Sequence, residues 1–417
     1  MRGKAKHFQD PVYGQISVSS PLLISLIDSR AVQRLKHIRQ LGVAFFTFLG
    51  ADHSRFSHSL GCMHLMNEVL EHLGREEGLR LSPEAREGAQ AAALLHDIGH
   101  CAFSHTLEGA LGHQHEDMTA RLMREDPQLR KLLGRGGRGL AGLFSGATQD
   151  GGQKLSVVKD LVSSQLDVDR LDYLVRDAHY TGVNSGKVDL SRIIGSFTVK
   201  QGRLMVKEKA LLAVEEYFLA RYFMYWKVYF HKTSRGLELV LKGLIRRAKE
   251  LHAKSLLDPS SLSPALKAFF EQGNRVGTQD FLDHDDSDVM VGIKRWQYGE
   301  DPVLSELSRR FLNRQKFKMV WEARSLDEQL NPKKRQRLRE YFERLHPGSA
   351  DYFFIEDSIG TLPYDASQPV WLLNEDGRRE NLALRSKMIR DITQKLVHAR
   401  YYVPSEHAAV VLKMIKG

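Results

Sequence analysis

Any fold open to this chain must bring three distant helical segments to one point. His58, the adjacent pair His96-Asp97, and Asp169 stand in the segments 54–61, 94–100 and 166–173, each side chain of a kind that binds metal ions. Two imidazoles and two carboxylates make a mixed nitrogen and oxygen set that suits a divalent ion such as Fe, Mn, Co, Ni, Zn or Mg. An ion held this way would acidify a bound water and polarise a phosphoryl oxygen, which points to hydrolysis of a phosphate ester. The setting of the pair matters as much as its identity. Ala89 to Leu95 is a run of small and apolar residues that reads as a buried helix, with Gly99 as its natural stop. Two polar groups at the end of such a helix are costly unless they find partners. His64, His72 and His252 have no comparable setting and read as ordinary core or surface residues.

With 417 residues the chain has room for two or three domains, and its apolar and charged fractions, 42% and 27%, are those of a globular protein. No stretch reaches the length of a membrane-spanning helix. The basic N-terminus lacks an apolar run behind it, so no secretory signal is expected. Cys62 and Cys101 cannot build a disulfide framework and read as buried, reduced thiols of a cytoplasmic protein. A net charge of +10 favours anionic partners without locating them. The densest basic run, Lys333 to Arg339, reads first as a solvent-facing helix start after Pro332, with a nucleic-acid contact as the secondary reading.

The first 250 or so residues carry mostly helical periodicity. Two short helices are expected within 21–40, a long amphipathic one over 54–73, another over 83–96, and shorter ones over 117–124, 154–163 and 168–179. Gly134 to Gly152 reads as a flexible loop, because its glycines do not end in the G-K-[ST] of a phosphate loop. Residues 193–200 and 204–207, around Gln201-Gly202-Arg203, predict a β-hairpin. An aromatic-rich helix is expected from Lys209 to about His252. Strands are expected at 352–355, 370–373 and 382–384, the last leading into a helix that ends near Arg400. The expected architecture is mainly α: a helical catalytic domain over 1–255, carrying the hairpin, and a smaller α+β lobe over 256–417 that holds regulatory or oligomer contacts.

The metal-binding residues match the H…HD…D signature of the HD-domain superfamily of metal-dependent phosphohydrolases. The chain resembles most its deoxynucleoside triphosphate triphosphohydrolase branch, which includes the vertebrate SAM-and-HD-domain enzyme. Asp10-Pro11-Val12-Tyr13-Gly14, Gln33 to Gly42, Ser54 to Gly61, His96 to His100 and Phe103-Ser104-His105 follow that branch in register. The likeness runs from about Lys6 to Lys232, more thinly to Lys318, and covers only the branch's catalytic part. It implies an HD-type helical core and release of inorganic triphosphate and a deoxynucleoside from a dNTP. One divalent metal would be held by His58, His96, Asp97 and Asp169, with a second Mg or Mn arriving with substrate. Arg55 would grip phosphate. Arg170, where the branch often has lysine, together with Tyr173, Asp177, Arg221, Tyr229, His231 and Lys232, would hold sugar, phosphates and base, with Gln40 and Leu41 beneath the nucleoside. For proton transfer the resemblance supplies His100, His105, Glu108 (aspartate in the branch) and His115, with His113 a competitor for the last place. Lys6, His7, Asp28, Gln33, Lys36, Lys209, Arg314 and Lys318 match a regulatory nucleotide site. Lys36 stands there in place of an arginine that recognises guanine.

The leading expectation is thus a cytoplasmic dNTP triphosphohydrolase, assembled as a dimer or tetramer and open to a nucleotide activator. Two alternatives stand beside it: an HD enzyme acting on a nucleoside monophosphate, a cyclic nucleotide or (p)ppGpp, and a nucleic-acid-binding or nucleotide-sensing protein whose metal is structural.

Overall fold

The helix Arg55–Glu76 carries a buried face made of Phe56, Leu60, Met63, Met66, Val69, Leu70 and Leu73, and against it pack the helices Pro83–Leu95 and Val168–Thr181. These three helices place the four signature residues. The structure, a computed structural model, describes residues 5–134, 136–144, 152–325, 327–393 and 396–416. It is mainly helical, with small sheets and a smaller mixed lobe towards the C-terminus, as the sequence predicts.

Local chemistry fixes the ends of the site helices. Ser82 caps Pro83–Leu95 by accepting the Ala85 N–H at 3.2 Å, and Asp167 caps Val168–Thr181 by accepting the Arg170 N–H at 2.8 Å. The latter helix ends on Gly182 in the left-handed region, φ 71°. Where Arg55–Glu76 and Val168–Thr181 meet, only glycine fits: a Cβ at Gly61 would lie 1.9 Å from Asp172 Oδ1 and 2.4 Å from Arg176 Nη2.

Three sheets surround this helical part. Lys6–Asp10 and Gly14–Val18 form an antiparallel hairpin that the periodicity of so short a segment does not announce. Phe197–Lys200 and Arg203–Lys207 form the expected hairpin, and Trp371–Leu373 joins it in parallel, with Arg379–Asn381 at the edge. In the third sheet Leu396–Pro404 runs between Phe317–Ala323 and Ile355–Thr361.

Several elements differ from expectation, and tertiary burial is the usual reason. Part of the glycine-rich 134–152 segment is helical, over Gly136–Phe144 and from Gly152, while 145–151 lie outside the described residues. Leu140 and Ala141 pack on the core there, which outweighs the poor helix propensity of glycine. The expected first hairpin strand begins only at Phe197, because Asp189 caps a short helix, Leu190–Ile194. Tyr352 belongs to a 3₁₀ turn, and the strand starts at Ile355. Asn381 caps a helix at Leu382–Arg385 in place of the expected strand. The helix expected to run on to Arg400 gives way to the central strand Leu396–Pro404, whose Tyr401, Tyr402 and Val403 are buried. The long helix from Lys209 is broken: Leu211–Met224 passes through a π-helical turn, Tyr225–Tyr229, before His231 caps Lys232–Ala253. Among the described residues no helix is long and apolar enough to cross a membrane.

Gly61→Ala should therefore destabilise the chain by roughly 2–4 kcal/mol, since a methyl group has to displace a buried ion pair. Urea unfolding of the two proteins measures the difference.

Candidate metal centre and adjoining cavity

His58 Nε2 lies 3.2 Å from His96 Nε2 and 3.1 Å from Asp169 Oδ1. His96 Nε2 lies 3.6 Å from that same oxygen and 3.2 Å from Asp97 Oδ1. Bonds of ~2.1 Å in tetrahedral or octahedral arrangement separate neighbouring donors by ~3.0–3.4 Å, so this set fits one divalent ion. Cys62 Sγ also lies close, at 3.6 and 3.7 Å from the two nitrogens of His58. Burial pushes its thiol well up, and the sulfur stands with His58, His96 and Asp169 within reach of a single ion.

Each donor is aimed by a further group. Ala93 O accepts from His96 Nδ1 at 2.8 Å, which leaves Nε2 as the donor to a metal. His58 Nδ1 is 2.7 Å from Asp172 Oδ2. Asp172 takes two hydrogen bonds from Arg176, at 2.8 and 2.9 Å, and Arg176 Nη1 reaches Asp10 Oδ2 at 2.8 Å. Asp10 in turn accepts the Val12 and Tyr13 N–H groups at 2.9 and 3.0 Å. None of Asp10, Asp172 and Arg176 was singled out for a role from sequence. The signal was present in the helix 168–181, where Asp172 follows Asp169 by three residues and Arg176 follows Asp172 by four, one face throughout.

Burial lowers the affinity of His58 and His96 for protons, but nearby negative charge and carboxylate hydrogen bonds outweigh it and hold both imidazoles above their ordinary value. Burial would raise Asp97 and Asp169, and the facing imidazoles hold both well below the ordinary carboxylate range. An incoming cation therefore displaces protons from the histidines.

A second cluster adjoins the first through Asp97, whose Oδ1 is 3.3 Å from His100 Nε2. Glu108 sits among three imidazoles: Oε1 is 3.1 Å from His100 Nδ1 and 2.8 Å from His115 Nδ1, and Oε2 is 3.0 Å from His105 Nδ1. His100 and His115 stack with centroids 3.9 Å apart. Burial and the Arg55 charge push the His100 imidazole down to about 3, so it is neutral at pH 7. His115 moves the other way, because its bond to Glu108 outweighs burial. His105 alone of the three is largely exposed. His113 stands apart and bonds Gly99 O at 2.7 Å.

Arg55 spans both clusters, with Nη1 on Asp97 Oδ2 and Nε on Ser104 Oγ at 2.7 Å. Phe103 and Ser104 both have φ near +53°, a strained conformation for residues other than glycine. Asp286 holds this loop by accepting the Phe103 N–H at 2.7 Å and the Arg39 N–H at 3.1 Å.

A cavity of about 380 Å³ opens over these groups. Gln40, Leu41, Arg55, Asp97, His100, His105, His115, Asp169, Tyr173, Asp177 and Tyr229 line it. Asp177 is held by His53 Nε2 at 2.8 Å and by the Tyr229 hydroxyl at 2.9 Å. The structure does not bring Arg170, Arg221, His231 or Lys232 to this wall. Arg170 turns back to Asp167 at 2.6 Å, Arg221 lies near the Tyr225 ring at 5.8 Å, and His231 is spent on its helix cap. Lys6 pairs with Asp28, and Lys36 reaches Gln33 Oε1 at 2.8 Å while covering the Phe56 ring. His7 bonds Ser17 at 2.9 Å. Lys209 lies on a separate groove with Arg192, Arg314 bonds Phe46 O at 2.9 Å, and Lys318 lies on the strand Phe317–Ala323.

The geometry is that of an HD-type metal centre, and the chain belongs to the HD-domain family of metal-dependent phosphohydrolases. Residues 55–176 match the HD domain model, and 188–345 match that of the HD associated region. The chain is 35% identical to the uncharacterized protein YwfO of Bacillus subtilis, over 95% of this chain and 92% of the relative. A solved phosphohydrolase from Bacteroides thetaiotaomicron superimposes with a TM-score of 0.85 at 33% identity, over 96% of this chain and all of that one. The likeness to the deoxynucleoside triphosphate triphosphohydrolase SAMHD1 of Homo sapiens is more distant, 26% identity over 59% of this chain and 45% of that protein.

Asp172→Asn should weaken divalent metal binding by about 10–100-fold, because His58 loses the carboxylate that aims it. Competition with a chromogenic chelator reads this directly. A second expectation concerns Asp286, whose carboxyl burial pushes up to about 6. Its folded form holds a proton that the unfolded chain releases near 4. The stability it contributes is therefore full below pH 4 and lost as the pH rises to 6, by up to ~3 kcal/mol. Asp286→Asn should abolish that component of the pH dependence, as unfolding free energies measured across pH 4–7 would record.

Proposed function

We propose that this chain is a metal-dependent triphosphohydrolase of deoxynucleoside triphosphates, acting by attack of water on the α-phosphorus. The observation that carries this reading is one cavity lined at once by Asp97 and Asp169 of the metal centre, by His100, His105 and His115, and by Gln40, Leu41, Tyr173, Asp177 and Tyr229. The sequence resemblance and the distant likeness to SAMHD1 support it. A divalent ion at His58, His96, Asp97 and Asp169 would supply Lewis acidity and lower the pKa of water.

The chain's own groups account for the rest. Arg55, fixed by Asp97 and Ser104, offers its remaining N–H groups to a phosphate. Asp177 keeps lone pairs on both oxygens, beyond those used by His53 and Tyr229, for a sugar hydroxyl. Tyr173 and Tyr229 meet edge to face 6.2 Å apart beside it and wall off water from the sugar. His105, the exposed member of its cluster, donates a proton to the departing 5′-oxygen while Glu108 holds its Nδ1. Glu108, kept ionised chiefly because its hydrogen bonds to neighbouring imidazoles outweigh burial, orients His105 and His115. The Nε and Nη1 of Arg221 are buried without a hydrogen-bond partner among the described residues, which supports a role in receiving an anion that reaches past Tyr173.

A nucleotide activator is part of the proposal. Arg314, Lys316 and Lys318 stand close enough together that burial and neighbouring positive charge lower Lys316. Such a group suits a polyphosphate. Lys6, His7, Asp28, Gln33, Lys36 and Lys209 would complete such a site across a homo-oligomer.

Incubation with a dNTP and a divalent metal should yield tripolyphosphate and deoxynucleoside in equal amounts, without pyrophosphate or monophosphate, as ion chromatography would resolve. His96→Ala with Asp97→Ala should abolish turnover. His105→Ala should lower kcat by about 10²–10⁴-fold while leaving the metal bound.

A further inference from the structure

The cavity wall includes a carboxylate that neither the metal centre nor the proton relay employs. Ser234, Arg235 and Glu238 stand on the first turns of the helix Lys232–Ala253, and all three line the cavity together with Tyr225, Tyr229 and Phe230. Ser234 and Glu238 are four residues apart and share a face. Arg235 is immobilised: Nε and Nη2 each lie 2.7 Å from Asp357, and Nη1 lies 2.7 Å from Glu238 Oε2. The fork of Arg235 thus fixes Glu238 by one oxygen. The second oxygen, Oε1, has no hydrogen-bond or ion-pair partner among the described residues and is not sealed from the cavity. The result is a rigid acceptor beside three aromatic rings.

We infer that Glu238, held by Arg235, reads the hydrogen-bond donors of the substrate's nucleobase and sets base preference. The inference rests on the proposed dNTP reading of the cavity. Tyr225, Tyr229 and Phe230 provide flat apolar surface for a base, and Glu238 meets its edge. Guanine offers an adjacent N1–H and amino group to a carboxylate. Adenine and cytosine each offer one amino group. Thymine offers a single N3–H flanked by two carbonyl oxygens, which would face the carboxylate and repel it. A hydrogen bond to a charged group contributes about 1.5–3 kcal/mol, a factor of roughly 10–100 in relative kcat/KM.

The experiment is a comparison of kcat/KM for the four dNTPs in the metal-loaded protein, in Glu238→Gln and in Glu238→Asp. The expected order is dGTP first and dTTP last. The dGTP to dTTP ratio should fall about 10-fold or more in Glu238→Gln, whose amide presents a donor as well as an acceptor. It should fall in Glu238→Asp too, which keeps the charge but withdraws it by one methylene. Should Glu238→Gln lose its fold through Arg235, the Asp variant alone decides. Unchanged ratios alongside normal turnover would overturn the assignment of Glu238 and leave the triphosphohydrolase reading intact. Failure of all four dNTPs to react in the metal-loaded protein would overturn both. A crystal structure with a non-hydrolysable dGTP analogue supplies an independent check: guanine N1 or N2 should lie within hydrogen-bond distance of Glu238 Oε1.

Discussion

A chain of buried charges, Asp10 to Arg176 to Asp172 to His58, underlies the arrangement of the metal centre. Its members come from the N-terminal hairpin, from the helix 168–181 and from the helix 55–76, so one ionic path ties three elements together. Charges removed from water cost several kcal/mol each unless fully paired. Here the pairing is complete: the Arg176 fork meets two carboxylates, and Asp10 finishes on backbone N–H groups. Loss of any one link strands the others in an apolar surrounding. Gly61 is the steric counterpart of this path, because no side chain fits between the helix and the Asp172–Arg176 pair.

Around that frame the two imidazole clusters divide the work by environment. His100 is buried and neutral, while His115 is held above its ordinary value by Glu108, and the two rings lie stacked. The same residue type is thus pushed in opposite directions within one site. Asp97 belongs to both clusters, one oxygen between His96 and His100 and the other on Arg55. Any change at Asp97 is consequently felt by the metal-binding set, the Arg55 guanidinium and the neutral histidine together.

The helices that carry the metal centre were legible in the sequence because their apolar period is long and their caps are explicit, as at Ser82-Pro83 and Asp167. Asp172 and Arg176 were readable in principle from helical spacing beyond Asp169. Asp10 and Asp286 were not, since their partners lie 166 and 183 residues away in the chain. The C-terminal strand Leu396–Pro404 and the glycine-containing helix Gly136–Phe144 escaped because tertiary burial, which no local pattern records, decides their conformation. Arg170 and Arg221 show how little spacing says about where a long basic side chain turns. A basic residue at the right spacing turned out to satisfy a helix-capping aspartate in one case and to lie near an aromatic ring in the other.

The π-helical turn Tyr225–Tyr229 has a consequence for how such a pocket is remodelled. An extra residue in a helical turn advances everything beyond it by about 100° relative to an uninterrupted α-helix. The rings of Tyr225 and Tyr229, 5.3 Å apart and both on the cavity, owe their juxtaposition to that turn, whereas the next helix starts afresh after the extended residue His231. Loss of one residue from this turn would rotate Tyr229 relative to Tyr225 by about 100° and take the aromatic wall apart. A deletion, more than any point substitution, is the mutational event that would redraw the pocket.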